Sequence, residues 1–221
     1  MKVLNLYAGI GGNRKLWTDV EVTAVEYDPK IAAIYKDFFP HDNVIVADAH
    51  AYLLEHFEEF DFIWASPPCP SHSRFRKGFS MNVGAKAIYP DMKLYEEILL
   101  LKHYFNGKYC IENVIGFYEP LVRPSEIQRH YFWHNFFISP REFEKDTINL
   151  TGGRNEDADE QIDRLQVRHG FDLSKYAVDK RTALRNCVTP ELGLHIFNCA
   201  KEQRHDDLFK NNGTNPQKQI K

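Results

Sequence analysis

Short apolar runs alternate with amphipathic stretches along most of this chain, and that alternation limits the folds open to it. Val3-Leu4-Asn5-Leu6-Tyr7 reads as a buried strand, closed by Gly9 and entering a helix near Asn13. Val22-Thr23-Ala24-Val25-Glu26 reads as a second strand, followed by a helix through Ile31, Ala32, Ile34 and Tyr35 that ends before Pro40. Val44-Ile45-Val46 is a third strand, and Phe60-Asp61-Phe62-Ile63-Trp64 a fourth. Residues 91–105 carry Leu94, Ile98, Leu101 and Phe105 at helical spacing, a stripe that suits a core-facing helix. Tyr109 to Val114 and Tyr131 to Ile138 supply a fifth and a sixth strand. Strands alternating with helices predict an α/β fold: a Rossmann-like, mostly parallel sheet with helices on both faces. In such sheets ligands collect beyond the carboxyl ends of the strands.

Composition adds bounds. The chain has 221 residues, 43% hydrophobic and 27% charged, enough for one domain with a sizeable core. No apolar run approaches the roughly 18 residues of a membrane helix. The stretch MKVLNLYAGIGG reads as a first strand rather than a cleaved signal, so a cytoplasmic protein without a membrane partner is expected. Cys69, Cys110, Cys187 and Cys199 are scattered and fit reduced thiols. The net charge of −3 gives no global attraction to nucleic acid, so any such contact must come from a local basic face.

The polar motifs fall at the predicted strand ends. Gly9-Ile10-Gly11-Gly12 follows the first strand, where glycines let backbone approach a ligand and helix-terminal N–H groups favour an anion. Glu26 ends the second strand, where a carboxylate can accept ribose hydroxyl protons, and Asp48 follows the third. Alone, such a glycine turn is an ordinary strand-to-helix connection; with two carboxylates at successive strand ends it points to a nucleoside. Arg14 and Lys15 stand where a dinucleotide fingerprint has its third glycine, so a single adenosine, as in S-adenosylmethionine, fits better than a pyrophosphate cofactor.

After the fourth strand the chain reads ASPPCPSHSRFR over residues 65–76. Pro67 and Pro68 restrict the backbone before Cys69, and Pro70 holds Cys69 extended, so the thiol is aimed. His72, Arg74, Arg76 and Lys77 are expected to favour the thiolate, the reactive form. Most buried cysteines are inert small hydrophobes, but few are framed by prolines and followed by cations. Cys69-x-x-His72 with His195-x-x-x-Cys199 has metal-ligand spacing, yet the second pair falls on an apolar helix-like run, and no metal is expected. Glu112 lies in IENV at the end of the fifth strand, where burial would keep a carboxyl group able to donate a proton.

In order along the chain, LYAGIGG, VEYD, ADA, SPPC, IENV, IQRHYF and RNCVTPELG resemble the motifs of the DNA cytosine-5 methyltransferase family. The resemblance runs over most of residues 3–200 and implies an S-adenosylmethionine-dependent methyltransferase fold. It implies cofactor contacts from Tyr7, Ala8, Gly9, Gly11 and Gly12, from Glu26 and Tyr27, from Asp48 and Pro67, and from Asn186 and Val188. It implies that Cys69 attacks C6 of a flipped cytosine, that Glu112 meets N3, and that Arg129 contacts O2, leaving S-adenosylhomocysteine as product. Ser71, Ser73, Arg74, Arg76 and Lys77 would then meet the phosphates of double-stranded DNA, in a bacterial or phage-infected cell.

This sequence departs from the family at several places. Pro70 stands where the family has Gln, Arg129-His130 where it has two alternating arginines, Arg185 where it has Gly, and Cys187 where it has Ser. Residues 1–138 and 164–200 are the expected catalytic domain and 201–221 a tail, which leaves only 139–163 as a reduced target-recognition insertion. That insertion is acidic (Glu156, Asp157, Asp159, Glu160) and reads as a loop over 150–163, unsuited to clamping phosphate. A protein partner or self-association would then supply sequence recognition. Cytosine-5 methylation of RNA and a non-catalytic DNA-binding relative are the rival readings; amino methylation is disfavoured by Cys69, which stands where such enzymes carry an aromatic residue.

Overall fold

The computed structural model describes residues 1–74, 89–143 and 157–202; Arg76, Lys77, Glu156 and the tail from 203 lie outside them. Seven strands form one sheet in the order β3-β2-β1-β4-β5-β7-β6. They are β1 (Lys2–Leu6), β2 (Glu21–Glu26), β3 (Asn43–Val46), β4 (Phe62–Ala65), β5 (Lys108–Val114), β6 (Ser125–Ile127) and β7 (His130–His134). β1 to β5 pair in parallel, while β7 runs antiparallel to both β5 and β6. The expected Rossmann-like sheet, with helices on both faces, is the observed one.

Period-two alternation explains how the sheet divides its side chains. Leu4, Leu6, Ile63 and Ala65 face one core, shared with α2 (Ala49–His56) and α3 (Lys93–Tyr104) through Leu53, Leu94, Ile98 and Leu101. Val3, Phe62 and Trp64 face the other, packed with Leu192, Ile196 and Phe197 of α6 (Pro190–Glu202). A third cluster sets Ile34 and Tyr35 of α1 (Pro29–Phe38) against Leu165 of α4 (Ala158–His169) and Leu184 of α5 (Lys180–Arg185). Trp64 is fully buried, and truncating such a side chain costs about 3–5 kcal/mol.

Local chemistry sets the helix ends. Asp28 caps α1, accepting from Lys30 N at 2.8 Å with Pro29 in the first turn; Asp48 caps α2, accepting from Ala51 N at 3.1 Å. Gly170 ends α4 in the left-handed conformation, φ 67°.

Three expectations need correction, and one helix was not anticipated. The glycine turn does not open a helix near Asn13: Lys15 N and Trp17 N close turns on Gly12 O and Arg14 O, and the Arg14 side chain reaches Trp17 O and Asp42. The sixth strand is shorter than 131–138 and antiparallel, because a hairpin turning at Gln128 (φ 56°) returns it along β5 and adds Ser125–Ile127. Helix α2 lacks an apolar stripe to mark it in the sequence; buried Ala49 and Leu53 hold it. Residues 158–163 are the first half of α4 rather than loop; this helix is mostly polar and buries Gln161, Leu165 and His169.

Candidate active site

The LYAGIGG, VEYD, ADA, SPPC and IENV motifs lie at the carboxyl ends of the parallel strands β1 to β5, so the sheet delivers them to one edge. After β1, Tyr7 (φ 54°), Gly9 (φ 55°) and Gly11 (φ 87°) reverse the chain through left-handed conformations. A Cβ on Gly12 would lie 2.6 Å from Cys187 Cβ and 2.7 Å from Val188 O, so only glycine lets the late RNCV segment press on this turn. At Gly9 a Cβ would meet nothing within 4 Å: the turn is open there to a ligand.

Glu26 is held from its own side. Its Oε2 accepts from Gly9 N and its Oε1 from Asp28 N, both at 2.9 Å, which leaves the other lone pairs available to a ligand. Tyr7 donates to Glu97, a fully buried carboxylate that also meets His50 Nδ1 at 3.0 Å. Burial pushes the Glu97 carboxyl up, partly offset by those two hydrogen bonds, and burial with the Glu97 charge pushes the Tyr7 phenol up. This trio was missed in the sequence, where Glu97 is one of two glutamates inside a stripe that reads only as core.

The SPPC segment is strapped at both ends. Ser66 N donates to Leu6 O at 3.3 Å, and Asn113 Nδ2, beside Glu112, donates to Pro67 O at 3.0 Å. Beyond the cysteine, His72 N and Ser73 N return to Cys69 O at 2.9 and 3.1 Å, and Ser73 bridges Gly116. The thiol of Cys69 is half-buried, and Glu112 is buried with Oε1 2.6 Å from His130 Nδ1.

A cavity of about 340 Å³ joins these parts. Tyr7, Ala8, Gly9, Gly12, Glu26, Tyr27, Pro67, Cys69, Glu112, Asn186 and Val188 all line it, together with His130, Arg185 and Cys187. It shares Tyr7, Tyr27, Pro67 and Pro68 with a neighbouring hollow of about 290 Å³ that reaches Asp48, and Gly9, Glu26 and Asn186 with one of about 700 Å³. Tyr27 is exposed at the shared wall.

Other expected residues stand elsewhere. Gly11 packs inward, where a Cβ would lie 2.3 Å from the Phe39 ring. Asp48 is exposed as the cap of α2, and its hydrogen bond from Ala51 N holds its carboxyl below the usual range. Arg129 lies in the hairpin turn between β6 and β7, whereas His130 faces the cavity. Ser71 Oγ accepts from Asp91 N at 3.0 Å, and Arg74 is exposed with its Nε on Gly116 O at 2.8 Å. Among the described residues no group of three or more His, Cys, Asp or Glu is arranged to hold a metal ion, and no helix is long and apolar enough to cross a membrane.

The expected thiolate environment needs correction. Burial pushes the Cys69 thiol up, and the nearby Glu112 charge pushes it further; the opposing cation is Arg185, not His72 or Arg74. His72 is buried, which lowers its pKa and favours the neutral ring, and its Nδ1 lies 2.6 Å from Tyr118 Oη. Arg185 stands on α5, over a hundred residues from the cysteine motif, so only the fold brings the two together.

Comparison with known proteins fits this geometry. The sequence profile of a family described as C-5 cytosine-specific DNA methylase matches residues 1–120. A human tRNA (cytosine(38)-C(5))-methyltransferase is 26% identical over 152 residues, covering 63% of this chain; the chain spans 38% of that relative's length. An Entamoeba histolytica methyltransferase structure superposes with a TM-score of 0.55 at 13% identity, covering 94% of this chain and 98% of the other, a likeness of fold.

Proposed function

The chain belongs to the C-5 cytosine-specific DNA methylase family, and from that premise we propose that it transfers a methyl group from S-adenosylmethionine to carbon 5 of cytosine in double-stranded DNA. The observation that carries this reading is the convergence of Cys69 and Glu112, from the adjacent strands β4 and β5, on one cavity walled by the glycine turn. The residues present fit the methyl donor. Gly9 leaves room for close backbone approach, Glu26 offers a fixed carboxylate to ribose hydroxyls, and Tyr27 offers an exposed ring. Pro67, Asn186 and Val188 would close the pocket, with Asp48 in the adjoining hollow. When bound, that group supplies an electrophilic methyl carbon and departs as S-adenosylhomocysteine.

The protein's own groups do the rest. A cytosine in a duplex cannot present C6 to a side chain, so it must be extruded. The Cys69 thiolate adds to C6; the S–C6 bond forms as the C5=C6 pair moves into the ring. Glu112, entering this step as the carboxylic acid, gives its proton to N3 and so neutralises the charge developing there, leaving C5 nucleophilic. His130 holds the Glu112 carboxyl through Nδ1, and either it or Arg129 on the neighbouring turn would meet the pyrimidine O2. Once C5 has bonded the methyl carbon, loss of its proton to a base restores C5=C6 and expels Cys69 as thiolate, and N3 returns its proton to Glu112. Holding both reactants at one sheet edge supplies proximity. With 139–163 too short for a recognition domain, a partner protein or a second copy would choose the sequence.

RNA is the second reading, favoured by the tRNA-methylating relative. One experiment separates them: duplex DNA and tRNA, each carrying 5-fluorocytosine, are offered with S-adenosylmethionine. Fluorine at C5 blocks proton loss, so the nucleophile stays attached. A denaturation-resistant adduct on DNA that is lost in Cys69→Ala supports the proposal; an adduct on tRNA alone moves it to RNA. No adduct on either rejects it.

A further inference from the structure

We propose that Arg185 is the cationic partner of the nucleophile, holding the Cys69 thiolate before attack and again as it leaves. Its catalytic consequence rests on the cytosine reading; its effect on the thiol does not.

Three observations point there. First, Arg185 lines the same cavity as Cys69, Glu112 and His130, and among the described residues lining it no other Lys or Arg is present. Second, it is half-buried at the end of α5, yet no hydrogen bond or ion pair joins its side chain to any described residue. Its position favours a cation, because the last helical residue lies at the negative end of the helix dipole. Burial and then the Arg181 charge lower its own pKa, while the Asp179 and Cys69 charges raise it. Third, its backbone is fixed: Asn186 N bonds Thr182 O at 3.1 Å, Cys187 N bonds Leu184 O at 3.2 Å, and Cys187 abuts Gly12.

The other charged groups around the thiol cannot do this work. Glu112 repels a thiolate, and His130 is turned onto Glu112. His72 faces Tyr118, Arg74 points to Gly116 O, and Arg181, on the helix of Arg185, is bonded to Gln161. The motif that brings Arg185 here, RNCV, has arginine where the resembling family has glycine, and β7 presents His130 where that family has arginine.

The test is the pH dependence of Cys69 alkylation by iodoacetamide, read by mass spectrometry of the Cys69 peptide; Cys110, Cys187 and Cys199 are buried. Removing a close opposite charge shifts a titration by about 1 unit or more, so Arg185→Gln should raise the midpoint by that amount while Arg185→Lys stays near wild type. The midpoint decides, because a more basic thiolate is also more nucleophilic and masks part of the rate change at any one pH. In methyl transfer, Arg185→Gln should lower kcat by up to about tenfold with little change in the KM for nucleic acid, since one pKa unit removes about tenfold of the thiolate and the greater nucleophilicity of the remainder returns part of it. An unmoved midpoint overturns the proposal, as does an effect on KM alone, which would make Arg185 a phosphate contact. If the glutamine variant fails to fold, Arg185→Met carries the same comparison. A shifted midpoint in a protein that methylates nothing would leave this inference standing and reject the cytosine reading; trapping on fluorocytosine with an unmoved midpoint does the reverse.

Discussion

Replacing Gly12 by alanine tests how tightly the late segment is clamped to the glycine turn. The new methyl would sit 2.6 Å from Cys187 Cβ, 2.7 Å from Val188 O and 3.0 Å from Cys187 Sγ. Carbon contacts are comfortable from about 3.5 Å, so something must retreat by roughly 0.9 Å. Neither neighbour is the free end of a flexible chain: Val188 O is backbone, and Cys187 is held through its N to Leu184 O and its Sγ to Ala183 O. Overpacking of this kind costs about 1–3 kcal/mol, which for a chain of this size lowers Tm by about 2–12 °C. Gly9→Ala is the matched control. Its φ of 55° strains an alanine, at a cost of about 1 kcal/mol, but its Cβ meets nothing within 4 Å and projects toward the cavity. Gly9→Ala should therefore melt closer to wild type while binding S-adenosylmethionine at least about tenfold more weakly, about 1.4 kcal/mol by calorimetry. The reasoning is refuted if Gly12→Ala melts with the wild type, or if Gly9→Ala binds the methyl donor normally.

Two further outcomes follow from buried polar groups. Asn113→Ala removes the donor to Pro67 O and the acceptor of Val114 N, so urea unfolding should show a loss of about 2 kcal/mol, together with a slower enzyme as the cysteine loop loosens. For Glu97 the sign runs against most carboxylates. Burial raises its pKa above the ordinary 4.5, so the stability it contributes is complete below that value and is lost as pH rises through the raised pKa. Denaturation midpoints measured from pH 4 to pH 8 should therefore favour Glu97→Gln increasingly over wild type; a gap that does not change with pH would rule this out.

The fold was legible in the sequence wherever both faces of a strand are buried, because such strands read as short apolar runs. Phe62 to Ala65 and Lys108 to Val114 belong to this class, with every residue of the first buried and all but Val114 of the second. Elements held by few or polar anchors were not legible. Helix α4 presents Gln161 and His169 to the interior beside Leu165, so its sequence is mostly polar, and Ser125–Ile127 is an edge strand of three half-exposed or exposed residues. The helix expected at Asn13 failed for a different reason. Gly193 of α6 lies so near Asn13 that a Cβ there would meet Asn13 O at 2.4 Å, and the Asn13 side chain is turned to Asn5, so tertiary contacts fix a series of turns instead.

The site divides along the same line. Parts carried by a strand end and its following loop were readable, since the sheet itself brings Gly9, Glu26, Cys69 and Glu112 to one edge. The electrostatics were not, because charge acts through space and sequence neighbours need not face one another. His72 and Arg74 follow Cys69 within a few residues, yet the turns that return His72 N and Ser73 N to Cys69 O carry their side chains toward Tyr118 and Gly116. Arg185 shares the cavity of the thiol because the segment after α5 packs on the glycine turn, where Gly12 and Cys187 permit close approach. If Arg185 is the thiolate's partner, steric fit at Gly12 controls more than packing: it seats the segment that carries Arg185, which the sequence separates from Cys69 by 116 positions, 185 − 69. The two perturbations must accordingly be coupled. A methyl at position 12 displaces the segment that carries Arg185, so Gly12→Ala should raise the alkylation midpoint of Cys69 in the same direction as Arg185→Gln, and should add nothing once Arg185 has already been replaced.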